Sequence, residues 1–130
     1  MARHQSRYPT ELELEILKVL WRGGPQTVRD VREALKGFRV LAHTSVITIM
    51  GIMDEKGYIT RTKEGGSFVY RARIRKDSTL KRMIGDLVDR AFEGSAATAA
   101  LHVLDKRNLS HDELEQLRAL IDRKSGEEQS

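Results

Sequence analysis

Apolar positions recur along this chain with two different periods, and the place where one gives way to the other organises the rest. From Leu12, the residues Ile16, Leu17 and Leu20 follow at helical spacing, Trp21 extends the stripe, and Gly23-Gly24-Pro25 ends it. Thr10 with Glu13 three residues on reads as a capping box in front of that first helix. Thr27 and Asp30 repeat the spacing. They open a second helix over roughly 27–36, expected to bury Val28, Val31 and Leu35 and to expose Arg29, Arg32 and Lys36, with Gly37 as its stop. After a connection at 38–42, a third helix is predicted from about 44 to 56, ending at Gly57. Its buried stripe is Val46, Ile49, Met50 and Met53; Thr44, Ser45, Thr48 and Gly51 lie on the opposite side. The period then drops to two. Tyr58 to Glu64 and Ser67 to Ile74 alternate as strands, joined at Gly65-Gly66, which permits the positive φ of a tight hairpin.

Beyond residue 75 the pattern is helical again. Asp77 or Ser78 can cap a helix carrying Leu80, Met83, Ile84, Leu87, Val88, Ala91 and Phe92. Gly94-Ser95 interrupts it, and an Ala-rich helix follows to about Lys106. Ser110 with Glu113 opens a last helix bearing Leu114, Leu117, Leu120 and Ile121. The pattern predicts a mainly α fold with a small β-hairpin wing. A winged helix-turn-helix domain is expected over 1–75, a helical dimerisation region over 76–124 and a disordered tail over 125–130. About 55 residues of loosely connected amphipathic helix bury too little alone to offset their ordering entropy. Leu80, Ile84, Leu87, Val88, Ala91, Leu101, Leu104, Leu117 and Ile121 are therefore expected to pack against a second copy in a twofold homodimer.

Composition narrows the function classes. The 130 residues include no cysteine, which excludes disulfides, thiolate metal sites and cysteine nucleophiles. The longest charge-free run, Gly94 to Leu104, is far short of the roughly 20 residues a spanning helix needs, so no membrane insertion is expected. The N-terminus M-A-R-H-Q-S-R-Y has no apolar stretch of the kind a secretory signal carries, and a cytoplasmic location is expected. The net charge of +4 is unevenly spread: residues 1–76 hold fifteen Lys and Arg against eight Asp and Glu, residues 77–130 eight against eleven. A basic first part on a mildly acidic second part suggests that only the first meets a polyanion.

The third helix and the hairpin carry the candidate chemistry. Thr44, Ser45 and Thr48, with His43 just ahead of them, put small hydroxyl groups near a helix N-terminus, where base edges and phosphates can be met. Threonine methyls can also touch the thymine C5-methyl. At the hairpin tip, Arg61, Lys63 and Ser67 can straddle a phosphate strand; the same cations also serve to protect an edge strand. Thr27 and Arg29 open the second helix and are candidate phosphate contacts, Thr27 being an ordinary N-cap as well. Together these nine residues predict insertion of a helix into the major groove of double-stranded DNA, with a basic flap on the backbone. The histidines His4, His43, His102 and His111 show no metal-ligand spacing, and there is no phosphate-binding glycine loop and no nucleophile paired with a base. No metal, cofactor or enzymatic activity is expected. A winged-helix module that binds another protein is the alternative, and the charge split argues against it.

With those residues in place, the chain resembles the penicillinase-repressor family of bacterial transcriptional regulators. The resemblance rests on E-L-E-I-L-K-V-L-W at 13–21, Q-T-V-R-D-V at 26–31, A-H-T-S-V-I-T at 42–48, E-K-G-Y-I at 55–59 and F-V-Y-R-A at 68–72. It implies a homodimeric repressor on a palindromic operator, with His43, Thr44, Ser45 and Thr48 on the recognition helix and Arg61 and Lys63 on the wing. It also implies relief by cleavage in the dimerisation region, dependent on a membrane metallopeptidase sensor of β-lactam antibiotics. Two positions depart from the family pattern: Ile52 stands where an Arg is common, and the candidate cleavage position holds His102-Val103 in place of Asn-Phe. A branch of the family senses copper through C-terminal cysteines, which this chain lacks.

Overall fold

The order of elements follows the two periods. In the computed structural model, which describes residues 8–129, α1 (Glu11–Gly23), α2 (Val28–Ala34) and α3 (His43–Lys56) precede an antiparallel hairpin of β1 (Ile59–Glu64) and β2 (Ser67–Ala72). Three further helices follow: α4 (Lys76–Ala91), α5 (Ala96–Lys106) and α6 (His111–Gln129). Residues 1–7, His4 among them, and Ser130 lie outside the described residues. The chain divides into two compact units, Met1–Gly85 and Asp86–Ser130, and α4 runs from one into the other.

The first unit is a winged helix-turn-helix. Ile16, Leu17, Val19 and Leu20 from α1 meet Val31, Leu35, Val46, Met50, Met53, Ile59 and Tyr70 in one buried cluster. The expected stripes change in detail. Leu12, Val28 and Ile49 are only half-buried, while Val19 and Glu13 are buried. Glu13 is tolerated inside because both of its oxygens take hydrogen bonds from Lys56 Nζ, at 3.1 and 2.9 Å, and Oε1 also accepts from Thr10 N–H. Arg32, expected to be exposed, is half-buried, and its Nε donates to the Leu41 carbonyl at 2.9 Å. That bond braces the connection leading into α3. The second helix itself ends at Ala34, and a 3-10 turn over Leu35–Gly37 completes it.

Both expected capping boxes of this unit form, at Thr10 with Glu13 and at Thr27 with Asp30. Gly57 ends α3 at φ +83°, a conformation that costs other residues about 1–2 kcal/mol. Gly65 and Gly66 have φ +59° and +83°, the two positive values a type I′ hairpin turn requires. The register pairs Ile59 with Ala72, Arg61 with Tyr70, Lys63 with Phe68 and Glu64 with Ser67. The hairpin is held to the helices by three ties. Gln26 and Tyr70 exchange backbone hydrogen bonds at 3.0 and 2.7 Å, the Gln26 side chain donates to the Val19 carbonyl, and the Trp21 indole donates to the Ile74 carbonyl at 3.0 Å.

The fourth helix, α4, begins at Lys76, still within the first unit and ahead of both expected caps, and the Ser78 and Thr79 hydroxyls donate back to the Arg75 carbonyl. Ser95 caps α5 and Ser110 forms its capping box with Glu113. The tail expected to be disordered continues α6 as helix to Gln129, where strong helix formers such as Glu127 and Glu128 extend the run. Among the described residues, no apolar side chain of α5 or α6 is fully buried.

Candidate nucleic-acid interface

The buried stripe of α3 dictates what the helix shows outside. With Val46, Met50 and Met53 turned inward, a helical period of 3.6 places Thr44, Thr48, Gly51 and Glu55 on the outermost line, and all four are exposed. Ile47 and Ile52 flank that line, 45% and 38% exposed. Ser45 is exposed beside them. His43 is the first residue of the helix rather than the one before it, and it too is exposed. The N-cap, Ala42, has no side-chain acceptor; its carbonyl takes the Ser45 N–H at 3.1 Å, and the His43 and Thr44 N–H groups are left for an acceptor from outside. Thr48 Oγ1 donates to the Thr44 carbonyl at 3.0 Å, which uses its proton inside the helix and presents its lone pairs and methyl group outward.

The wing separates the residues expected at its tip. Strand alternation places Arg61, Lys63 and Phe68 on one face, and Thr62, Glu64 and Ser67 on the other. Arg61 lies over the Phe68 ring at 4.3 Å and reaches Asp54 of α3 at 3.8 Å, so its charge is already partly answered. Arg71 is tied to Glu64 at 2.9 Å and to Thr62 at 2.6 Å. The Thr62 hydroxyl and the Arg71 guanidinium together hold the Glu64 carboxyl below its ordinary pKa. Lys63 is exposed, and among the described residues it makes no ion pair.

On the second helix, the Thr27 hydroxyl is committed to capping, accepting from Asp30 N–H at 3.2 Å, while Arg29 is exposed. One exposed cation was not anticipated. Arg39 lies in the connection before α3, over the Phe38 ring at 5.4 Å, and its position one short loop ahead of α3 was the available signal. Among the described residues no group of three His, Asp or Glu could hold a metal ion, and no helix is long and apolar enough to cross a membrane.

The residues expected to dimerise fall into two sets. Ile84, Leu87, Leu101 and Ile121 are 62%, 55%, 66% and 58% exposed, and Ala91 and Leu104 are exposed as well. Leu80, Val88 and Leu117 are half-buried. His102 and Val103 sit inside α5, with His102 edge-on to Phe92 at 5.2 Å and its Nδ1 2.9 Å from the Thr98 carbonyl.

A helix-turn-helix with a basic hairpin defines a class of regulator, and comparison with known proteins places the chain within it. The family model described as penicillinase repressor matches residues 9–123, and the chain belongs to that family. It is 30% identical over 113 residues to the transcriptional regulator BlaI of Mycobacterium tuberculosis (strain ATCC 25618 / H37Rv), covering 85% of this chain and 80% of that one. The methicillin resistance regulatory protein MecI of Mammaliicoccus sciuri is 21% identical over 112 residues, covering 86% and 91%. The penicillinase repressor of Bacillus licheniformis is 23% identical over 113 residues, covering 87% and 88%. These relatives are regulators of transcription, not enzymes. Among solved structures, a MarR family protein from Bacillus stearothermophilus aligns with a TM-score of 0.49 at 16% identity, covering 94% of this chain and 76% of that one.

Proposed function

We propose that this protein is a cytoplasmic, sequence-specific DNA-binding repressor that acts as a homodimer on a twofold operator. Residues 1–75 bind DNA and residues 76–124 pair the two copies. The observation that carries the reading is the exposed hydroxyl line of α3, Thr44 to Thr48, beside a wing whose Lys63 makes no ion pair among the described residues. Lys63, Arg29 and Arg39 contact phosphate; Thr44, Ser45 and Thr48 read base edges. Arg61 acts on the wing through its stacking on Phe68 as much as through free charge. If the dimer neutralises on the order of 6–10 phosphates, affinity for a selected duplex falls about 10³–10⁵-fold between 50 and 200 mM salt. Thr48→Ala is expected to weaken operator binding more than binding to a scrambled duplex, and Lys63→Ala to weaken both alike. Titration of both duplexes at fixed salt measures this, and a salt slope near zero sinks the reading.

Relief by a membrane metallopeptidase, which the family resemblance implies, would have to act inside a helix. The His102–Val103 bond lies in the middle of α5, and the Val103 carbonyl accepts from Arg107 N–H at 3.0 Å. A peptidase that takes an extended segment must first unwind that turn. Incubation with such a peptidase and mapping of the products tests the position; an intact chain after full exposure removes this part of the proposal.

A further inference from the structure

We propose that a cleft at the base of the wing binds a small organic anion: an oxyanion, carboxylate or phosphate, carried on a flat apolar body. The cleft has a volume of about 300 Å³, within the range that holds small ligands. Arg73, Arg75 and Arg82 line it together with Tyr8, Tyr58 and Ile74, all within the first unit. No carboxylate lines it. Among the described residues, Arg73, Arg75 and Arg82 form no ion pair, as is true of most arginines outside the wing; what sets these three apart is that they line one concavity. Three guanidiniums around one concavity, with planar forks suited to carboxylate or phosphate, leave a positive potential that an anion would complete.

Local geometry explains why these side chains converge. Arg73 and Arg75 stand two residues apart on either side of half-buried Ile74, and Ser78 and Arg82 are one turn apart on α4. The backbone beneath them is fixed. The Trp21 indole donates to the Ile74 carbonyl at 3.0 Å, Arg73 N–H donates to the Tyr58 carbonyl at 2.8 Å, and the Thr79 hydroxyl donates to the Arg75 carbonyl at 2.6 Å. A site already held in shape loses less on binding. The apolar walls are the two tyrosine rings, Pro9 and Ile74. Burial raises the Tyr58 phenol above its ordinary pKa, so it remains a neutral donor. Thr44 and Lys56 stand at opposite ends of α3, roughly 18 Å apart along its axis, so the cleft lies at the far end of that helix from the hydroxyl line. The concavity and its apolar walls favour a small ligand over a duplex backbone, and the inference does not depend on the DNA reading. A ligand spanning Arg82 and Arg75 would hold the first turns of α4 to the base of the hairpin.

Trp21, the single tryptophan, reports on the site through its bond to Ile74. The full chain is titrated with phenyl phosphate, benzoate, inorganic phosphate and neutral benzyl alcohol while Trp21 emission is followed. A saturable change is expected with phenyl phosphate or benzoate, and the stronger of the two identifies phosphate or carboxylate as the group read. Arg75→Gln and Arg82→Gln should each weaken binding about ten-fold, and Lys81→Gln, outside the cleft, less than about two-fold. Three results would overturn the proposal. One is absence of saturation at about 10 mM of either aromatic anion, and another is equal binding of benzyl alcohol or inorganic phosphate. The third is a loss of affinity for arbitrary duplex in Arg75→Gln and Arg82→Gln with no probe binding in the parent, which would assign the three arginines to DNA.

Discussion

Gly51 occupies the outer line of α3, and nothing stands within 4 Å of where its Cβ would be. Alanine there meets no steric obstacle and gains about 0.8–1 kcal/mol of helix propensity. A helix that forgoes this on its most exposed line makes sense if another surface comes close to its backbone. Gly51→Ala is therefore expected to raise stability by about 1 kcal/mol in denaturant unfolding and to weaken operator binding. A variant both more stable and equally tight on the operator refutes close approach. The same scale separates the two wing cations. Arg61 and Lys63 are equivalent in sequence, but Asp54 and Phe68 occupy Arg61 and leave Lys63 exposed.

Among elements, one buried acid ties α1 to α3 beside their shared apolar cluster. Glu13 is 4% exposed, joins the Thr10 capping box and holds Lys56 from 43 positions along the chain. Glu13→Gln keeps a cap acceptor but leaves Lys56 without its countercharge. The expected loss is about 2–3 kcal/mol in denaturant unfolding, under the ~3–5 of a fully buried pair because Lys56 stays 19% exposed. A loss below about 0.5 kcal/mol would show the pair to be as weak as a surface one. At the start of α6, hydrogen bonds from Ser110, its backbone N–H first, hold the exposed Glu113 carboxyl below its ordinary pKa. A depressed acid stabilises the fold fully above its unfolded pKa, and that contribution disappears as pH falls through the lowered value. Acid titration followed by far-UV circular dichroism should show α6 fraying only below the usual carboxylate range. Glu113→Gln should remove that step, and an unchanged profile in the variant would exclude the cap as its source.

For the whole molecule, the second unit has a wide apolar surface and little interior. Leu87 and Leu101 are more than half exposed. Sedimentation equilibrium of the full chain is expected to give twice the chain mass, and Leu87→Asp with Leu101→Asp to give the chain mass. On the proposed reading, the double variant should lose operator affinity far more than affinity for scrambled duplex, because a monomer presents only one copy of α3 to a twofold site. A parent chain that sediments as a monomer would end the dimer reading.

The elements were legible in the sequence because their signals are local. Capping boxes, a C-terminal glycine, a Gly-Gly turn and the change of period each act within about four residues, and each stands where the pattern predicted. The outward line Thr44–Thr48 was legible for the same reason, being the complement of a buried stripe. Local signals mislead only at margins, as in the later end of α6 and the earlier start of α4. What packing alone decided are meetings of residues far apart in sequence: Glu13 with Lys56, Trp21 with Ile74, Arg32 against Leu41, and three arginines around one cleft. Charge and hydrogen-bonding capacity belong to the residue, but the partner that satisfies them is chosen by distances that exist only once the core has closed.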